Sequence, residues 1–324
     1  DMQLIKYILA ARTFFLHNQS NVAYKILDKA ENLAKEHHLF SILNEIHHTK
    51  IQYAYTNPSV NIQSLIKNYR ANQKRHYTED QLNIVYAKIR QTLSDMTYKG
   101  EVIDFQTLLN DTLLEHNIDV NESLSFKSLY QIMTIVSISA FVTNNYLKIE
   151  PFLLDSYHTI KLHKTKDKEN YYHIEVLYLI ANTLFRNKKF EESINYLNQM
   201  HQYMTMNKRK HYAAFKLKHS LLLGLNYNYS NQQEKAIQLL EQFKIKTHPD
   251  LESLLDIYLS LITFYIQNNE HQKAMQLFSK FYHTDKWYIE RAGTEWTIKK
   301  NLVEIILHIE LDHIDFVESR LKSF

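Results

Sequence analysis

Small and bulky apolar residues alternate with polar ones along this chain at helical spacing, and in four segments the spacing is the same. Each segment has a small residue early in its second predicted helix, taken here as an anchor. In three of the four a small residue stands twelve positions before it, where the fourth has Ile262; a large apolar residue stands nine before in all, and sixteen before in three. Apolar residues follow four and seven later. With Ala23 as anchor the set is Tyr7, Ala11, Phe14, Leu27 and Ala30. With Ser193 it is Leu177, Ala181, Leu184, Leu197 and Met200, with Phe190 just before the second helix. With Ala236 it is Gly224, Tyr227, Leu240 and Phe243, and with Ala274 it is Tyr258, Ile262, Tyr265, Phe278 and Phe281. Two helices approach closely only where small side chains face each other and bulky ones fill the groove on either side. The pattern therefore predicts four antiparallel helix hairpins.

Between them the periodicity is looser. It predicts helices over about 39–55 and 60–74, 78–97 and 101–116, and 122–143 and 146–163, with a last pair over about 294–309 and 312–324. Asparagines mark the corners, at Asn18, Asn57, Asn144, Asn145, Asn187, Asn231, Asn268 and Asn269. Asn tolerates left-handed backbone and bonds its own main chain. Thr294 followed by Glu295 reads as a helix start. The stretch Ser128 to Leu147 carries no charge, yet it holds Gln131, Thr134, Ser137, Ser139, Thr143, Asn144 and Asn145. That polar load argues for a helix buried within protein, not one spanning a bilayer.

These anchor sets resemble the tetratricopeptide repeat. The match is clearest over 4–35 and 170–285, and best in the single stretch Leu221 to Phe243. There Gly224 falls where the repeat wants its smallest residue. The resemblance implies an all-α, right-handed superhelix, an α-solenoid of about eight antiparallel helix pairs, running through 1–324 as one repeat domain. Anchors Ser193, Ala236 and Ala274 lie farther apart than the roughly 34 residues of the regular repeat. The usual proline at the repeat end is mostly missing. Both departures imply longer helices and an irregular superhelix. The closing segment, from Glu295 onward, resembles the C-terminal part of bacterial proteins with degenerate repeats of this kind. The chain opens on Asp1 in helix and reaches Phe324 inside an apolar pattern, so a piece of a longer protein is expected.

Composition supports the helical reading. Only 3 Gly and 3 Pro occur, where average usage would give roughly 23 and 16. Tight turns need those residues, so few tight turns are available. Cysteine is absent, which excludes disulfides and thiolate chemistry and fits a cytoplasmic location. The three glycines, Gly100, Gly224 and Gly293, cannot form a phosphate-binding loop or a serine elbow. Of the 18 histidines, no two stand three or four apart, as ligands sharing one helix face must. Glu45 with His48, and Glu310 with His313, have carboxylate–histidine metal spacing but lie at opposite ends of the chain. The doublets His37–His38 and His47–His48 add nothing firmer. No metal, no cofactor and no catalytic residue is expected.

The net charge is only +3. Two basic runs stand out, Lys161, Lys164, Lys166 and Lys168, then Lys208, Arg209 and Lys210. They offer an acidic partner or a phosphate backbone a contact, but Asp167, Glu169, Glu191 and Glu192 dilute the field. The resemblance implies a concave face lined by first helices, at positions about eleven, fifteen and eighteen before each anchor and beside them. The residues selected are Tyr178, Asn182, Phe185 and Arg186; Leu221, Leu225, Asn228 and Tyr229; and Leu259, Thr263, Ile266 and Gln267. Aromatic, amide and aliphatic groups in one row suit a peptide or helix with apolar anchors. Chaperone-binding relatives clamp a carboxylate with a Lys where this chain has Tyr178, so that ligand is not expected. The leading expectation is a noncatalytic scaffold holding a protein segment in this groove, without membrane insertion. The alternatives are a regulatory sensor domain responding to a peptide or partner domain, and binding of nucleic acid or an acidic partner through the basic loops.

Overall fold

The computed structural model describes residues 2–99, 126–143, 145–162, 170–243 and 250–323. Every regular element among them is helical. In chain order they are α1 (Met2–Leu16), α2 (Ser20–Glu36), α3 (Phe40–Gln52), α4 (Ile62–Lys99), α5 (Phe126–Thr143), α6 (Tyr146–Leu162), α7 (Asn170–Arg186) and α8 (Phe190–Arg209). There follow α9 (Tyr212–Tyr229), α10 (Gln233–Glu241), α11 (Leu251–Gln267), α12 (His271–Phe278), α13 (Asp285–Ala292), α14 (Thr294–Glu310) and α15 (Ile314–Ser323). A short 3-10 turn, Ala54–Thr56, follows α3. Consecutive helices pack as hairpins: α1 on α2, α9 on α10, α11 on α12, and α14 on α15. Alternate helices also touch, α1 with α3, α9 with α11 and α11 with α13. This stacking of every second helix is what a helical repeat requires, because one hairpin cannot bury its own apolar face.

The small anchors are the points of closest approach. Ala11, Ala23, Ala30, Ala181, Ser193, Ala236 and Ala274 are fully buried. Ser193 on α8 donates its hydroxyl to the carbonyl of Ala181 on α7 at 2.8 Å. A Cβ placed on Gly224 would stand 3.2 Å from the Leu240 side chain of the facing helix. The residue pairs twelve and sixteen apart in sequence thus meet across the hairpin, as their sizes dictate.

The corners repeat one geometry. Asn18, His38, Lys188, Asn231, Asn269 and Asp312 all take positive φ, between 49° and 61°. The next backbone N–H reaches back five residues, as Gln19 to Phe14, Leu39 to Ala34, Lys189 to Leu184, Gln232 to Tyr227, Glu270 to Tyr265 and His313 to His308. This is the left-handed helix stop. It satisfies carbonyls that the ended helix leaves open. Asparagine fills it at three corners. At the fourth hairpin Lys188, not Asn187, takes the left-handed backbone.

Two differences from the sequence pattern are clear. The expected break near 75–77 is absent, and α4 runs through it as one 38-residue helix. The segment Arg75-His76-Tyr77 contains no breaker, and Thr78 bonds the Lys74 carbonyl within the helix. A separate short helix, α13, stands before α14, started by the Thr284 side chain accepting from the Trp287 N–H and ended by Gly293 at φ 88°. The expected helix over 101–116 lies outside the described residues.

The chain divides into two compact units. One comprises Asp1–Ala87, Asn110–Ile132 and Thr159–Tyr172. Its core joins α1, α2 and α3 through residues such as Leu4, Ile8, Phe15, Leu27, Leu43 and Ile46. The other comprises Lys88–Leu109, Met133–His158 and His173–Phe324, with a core running from Leu217 through the aromatic group Phe278, Phe281, Tyr288 and Trp296 to Leu307. In α5, the polar residues Ser128, Gln131 and Thr134 are buried, and Gln131 donates to Asn83 of α4 at 2.9 Å. No helix among the described residues is long and apolar enough to cross a membrane.

Candidate functional site

The expected lining residues lie on α7, α9 and α11 of the second unit. Phe185 on α7 meets Tyr229 on α9, ring centres 5.7 Å apart, and Phe190 at the start of α8 closes the group at 5.9 Å from Phe185. Asn228 on α9 donates to Gln267 on α11 at 2.8 Å. Arg186 is exposed, with its guanidinium over the Tyr146 ring, and it borders a cleft of about 320 Å³ with Asn145 and Lys188. Tyr178, Asn182, Phe185, Leu221, Leu225, Thr263 and Ile266 are half-buried, and Tyr229 and Gln267 are exposed. Two are floor, not wall: Asn228 and Leu259 are buried. The Thr263 hydroxyl is spent on the Leu259 carbonyl of its own helix, at 3.0 Å.

One buried polar atom on this face lacks a partner. The buried Oδ1 of Asn228 accepts nothing. Gln267, which accepts from the Asn228 amide nitrogen, is exposed beside it. Buried amide oxygens without donors are costly, and this one lies beneath the surface, out of reach of a ligand.

A row eighteen positions before the anchors escaped the residue selection. It consists of Glu175, Lys218 and Asp256, on α7, α9 and α11. Lys218 lies 3.8 Å from Glu175 and 5.8 Å from the centre of the Tyr178 ring. Burial pushes the Tyr178 hydroxyl up to about 12, and the charges of Glu175 and Asp256 add to it. Burial also pushes the Asp256 carboxyl up to about 6, helped by Glu252, against the pull of Lys299. The register pointed at these positions, but charged residues on a helix read as a solvated face until their neighbours are known.

The first unit carries a different cleft, of about 390 Å³, lined by Tyr24, Asp28, Glu31, Lys50, Asn61 and Ser64 among others. Lys50 is buried, and its ammonium bridges Asp28 and Glu31. The Glu31 carboxyl is held far below its usual range. Burial raises it, but hydrogen bonds from His47, Lys35 and Lys50 outweigh that. Nothing in the sequence pattern marked this cluster, because its charges come from two separate helices, α2 and α3. Lys50 and the two carboxylates satisfy one another, and the buried His47 beside them has no hydrogen-bond partner on either ring nitrogen by geometry.

Of the basic runs, Lys164, Lys166 and Lys168 lie outside the described residues, as does the Lys161 side chain. Lys208, Arg209 and Lys210 are exposed at the end of α8, with Lys208 and Arg209 at positive φ and Arg209 over the Tyr212 ring. Among the described residues no three His, Asp or Glu side chains are grouped to hold a metal ion. His308 and His313 do meet, ring nitrogens 2.9 Å apart, beside Phe316. A scan against protein-family models finds no match, and a search of curated proteins finds none.

Proposed function

We propose that the chain is a noncatalytic helical-repeat scaffold of tetratricopeptide type, which holds a protein segment along the face shared by α7, α9 and α11. The observation that carries this reading is the pairing on one face of part-exposed aromatics with an exposed amide, Gln267. Phe185, Phe190 and Tyr229 offer an apolar seat. Gln267 on α11, one helix further on and held by Asn228, offers hydrogen bonds to a peptide backbone. Stacked first helices present these groups at a regular interval, which suits an extended or helical ligand. The repeat spacing of the anchors supports the tetratricopeptide assignment, and the right-handed superhelix follows from it by analogy of fold.

The test uses a peptide selected from a random-dodecamer display library panned on the intact chain. Phe185→Ala with Tyr229→Ala removes the apolar seat while leaving the anchors untouched. The expected result is a loss of affinity of about tenfold or more, since two aromatic contacts are removed, with an unchanged circular-dichroism melt. Undiminished binding by the folded double variant would overturn the assignment of the groove.

A further inference from the structure

The cleft beside Arg186 brings two unpaired cations and a deeply seated phenol to one place. Asn145, Tyr146 and Leu147 enter it from the start of α6, and Arg186, Asn187 and Lys188 from the end of α7. Arg186 and Lys188 are exposed, and neither forms an ion pair among the described residues. The Arg186 guanidinium is held over the Tyr146 ring, 5.8 Å from its centre. Tyr146 itself is only 7% exposed, yet its hydroxyl has no hydrogen-bond partner among the described residues, and the residue lines this cleft. A phenol so deeply seated normally finds a partner.

The carboxylate next to the cleft does not serve these groups. Glu150, one turn into α6, is buried, and it accepts from the Asn187 amide and the Lys189 ammonium, both at 2.6 Å. Burial would raise its carboxyl, but those two bonds hold it below the usual range. Asn187 and Lys189 are thereby spent, and Arg186 and Lys188 remain. The first-turn N–H groups of α6 add to them. They have no acceptor within their own helix and stand at the positive end of its dipole. No acidic residue lies in that turn. Guanidinium, ammonium, phenol O–H and helix N-terminus thus meet at one cleft of about 320 Å³, and each of them favours an anion.

We propose that this cleft receives an acidic side chain, Asp or Glu, of the segment held in the groove. This rests on the groove reading above and adds an orientation to it. Phe185 and Arg186 are neighbours in the last turn of α7, and the Phe185 ring meets Tyr229 on α9 at 5.7 Å. The acidic residue of the ligand therefore lies on the α6 side of the aromatic seat, and Gln267 on the α11 side. Packed helices stand about 10 Å apart, which an extended chain crosses in about three residues. A singly charged carboxylate suits the cleft better than a phosphate dianion, because the Glu150 charge stands behind it and repels the second charge.

The experiment sequences the display-selected dodecamers. One C-terminally amidated synthetic peptide and its Glu→Gln or Asp→Asn version are then titrated against the wild type, against Arg186→Gln with Lys188→Gln, and against Tyr146→Phe. Both cations are exposed, so the double variant should melt as the wild type does, and Tyr146→Phe keeps the ring. The expected result is an acidic residue at a fixed distance from an apolar one. Neutralising it should cost about tenfold in the wild type and little in the double variant, and Tyr146→Phe should weaken the acidic peptide alone. Added salt should narrow the gap between the two peptides in the wild type. Peptides that lose affinity with Phe185→Ala and Tyr229→Ala, yet carry no acidic residue or bind the Arg186 and Lys188 variant equally well, overturn the role of the cleft and leave the groove standing. Displacement of the peptide by inorganic phosphate, where acetate at equal ionic strength has no effect, assigns the cleft to phosphate and overturns the acidic side chain. Peptides indifferent to both sets of substitutions overturn the groove and this inference together.

Discussion

Ser193 illustrates how a single side chain is fixed by the fold. It is fully buried where two helices nearly touch, so it must be small, and its hydroxyl must find an acceptor. The Ala181 carbonyl supplies one at 2.8 Å. Ser193→Ala keeps the size and loses the bond, so a cost of about 1 kcal/mol is expected in a urea unfolding curve. His219 is a second case. It is buried on α9, and its Nε2 meets the Leu197 carbonyl at 3.0 Å. Burial, with the nearby His201, lowers it to about 4, while that carbonyl contact acts the other way. The folded value lies below the unfolded value of about 6.5. The stability tied to it is therefore complete above pH 6.5 and is lost as pH falls toward 4. Between pH 7.5 and 5 the loss should be about 2 kcal/mol. His219→Gln should shrink the drop measured over that interval by a similar amount, and an unchanged drop would show that His219 is not buried as a neutral ring. At this scale the anchors were legible in the sequence, because small size at a fixed interval has one physical meaning. The Glu175–Lys218 pair was not, because it forms only across helices, from α7 to α9.

Helix ends tell a similar story one level up. Six corners share the left-handed stop, and the asparagines at 18, 231 and 269 were readable as corners from the sequence. His38, Lys188 and Asp312 do the same work with residues that give no such hint. A non-glycine residue held in left-handed backbone costs roughly 1 kcal/mol. Lys188→Gly should therefore stabilise the chain by up to about that amount, provided the exposed lysine contributes nothing else. Gly293→Ala should destabilise it, because φ of 88° with an extended ψ is closed to any side chain. Thermal melts of the two variants should move in opposite directions, and a shift of the same sign would contradict the corner geometry. The one helical boundary that the pattern misplaced, within α4, fails for the converse reason. Apolar periodicity weakens near 75–77, but weak periodicity does not stop a helix unless a breaker is present. His76 and Asn72 hold that turn to α3 through Asn44 instead.

At the scale of the molecule, two compact units each carry a core of their own. A helical repeat is stabilised by nearest neighbours, so damage should stay near its source. Leu27→Ala, in the first unit, and Ile262→Ala, in the second, each empty a fully buried site and should cost about 2–5 kcal/mol locally. Hydrogen exchange should show faster opening of α1 and α2 in the first variant and of α11 and α12 in the second, with the other unit little changed. Uniform acceleration throughout would mean a single cooperative block. The helical class was legible from scarce glycine and proline and from the anchors. The two-unit division was not, since no stretch of linker-like composition marks it.

The central claim is that the face of α7, α9 and α11 receives a protein segment. Hydroxyl-radical footprinting of the intact chain, with and without the display-selected peptide, tests it most directly. The account predicts protection of Phe185, Tyr178 and Tyr229, with Tyr55 and Tyr77 of the first unit unchanged. Protection confined to residues away from these helices, with Tyr229 as reactive as in the free chain, would contradict it.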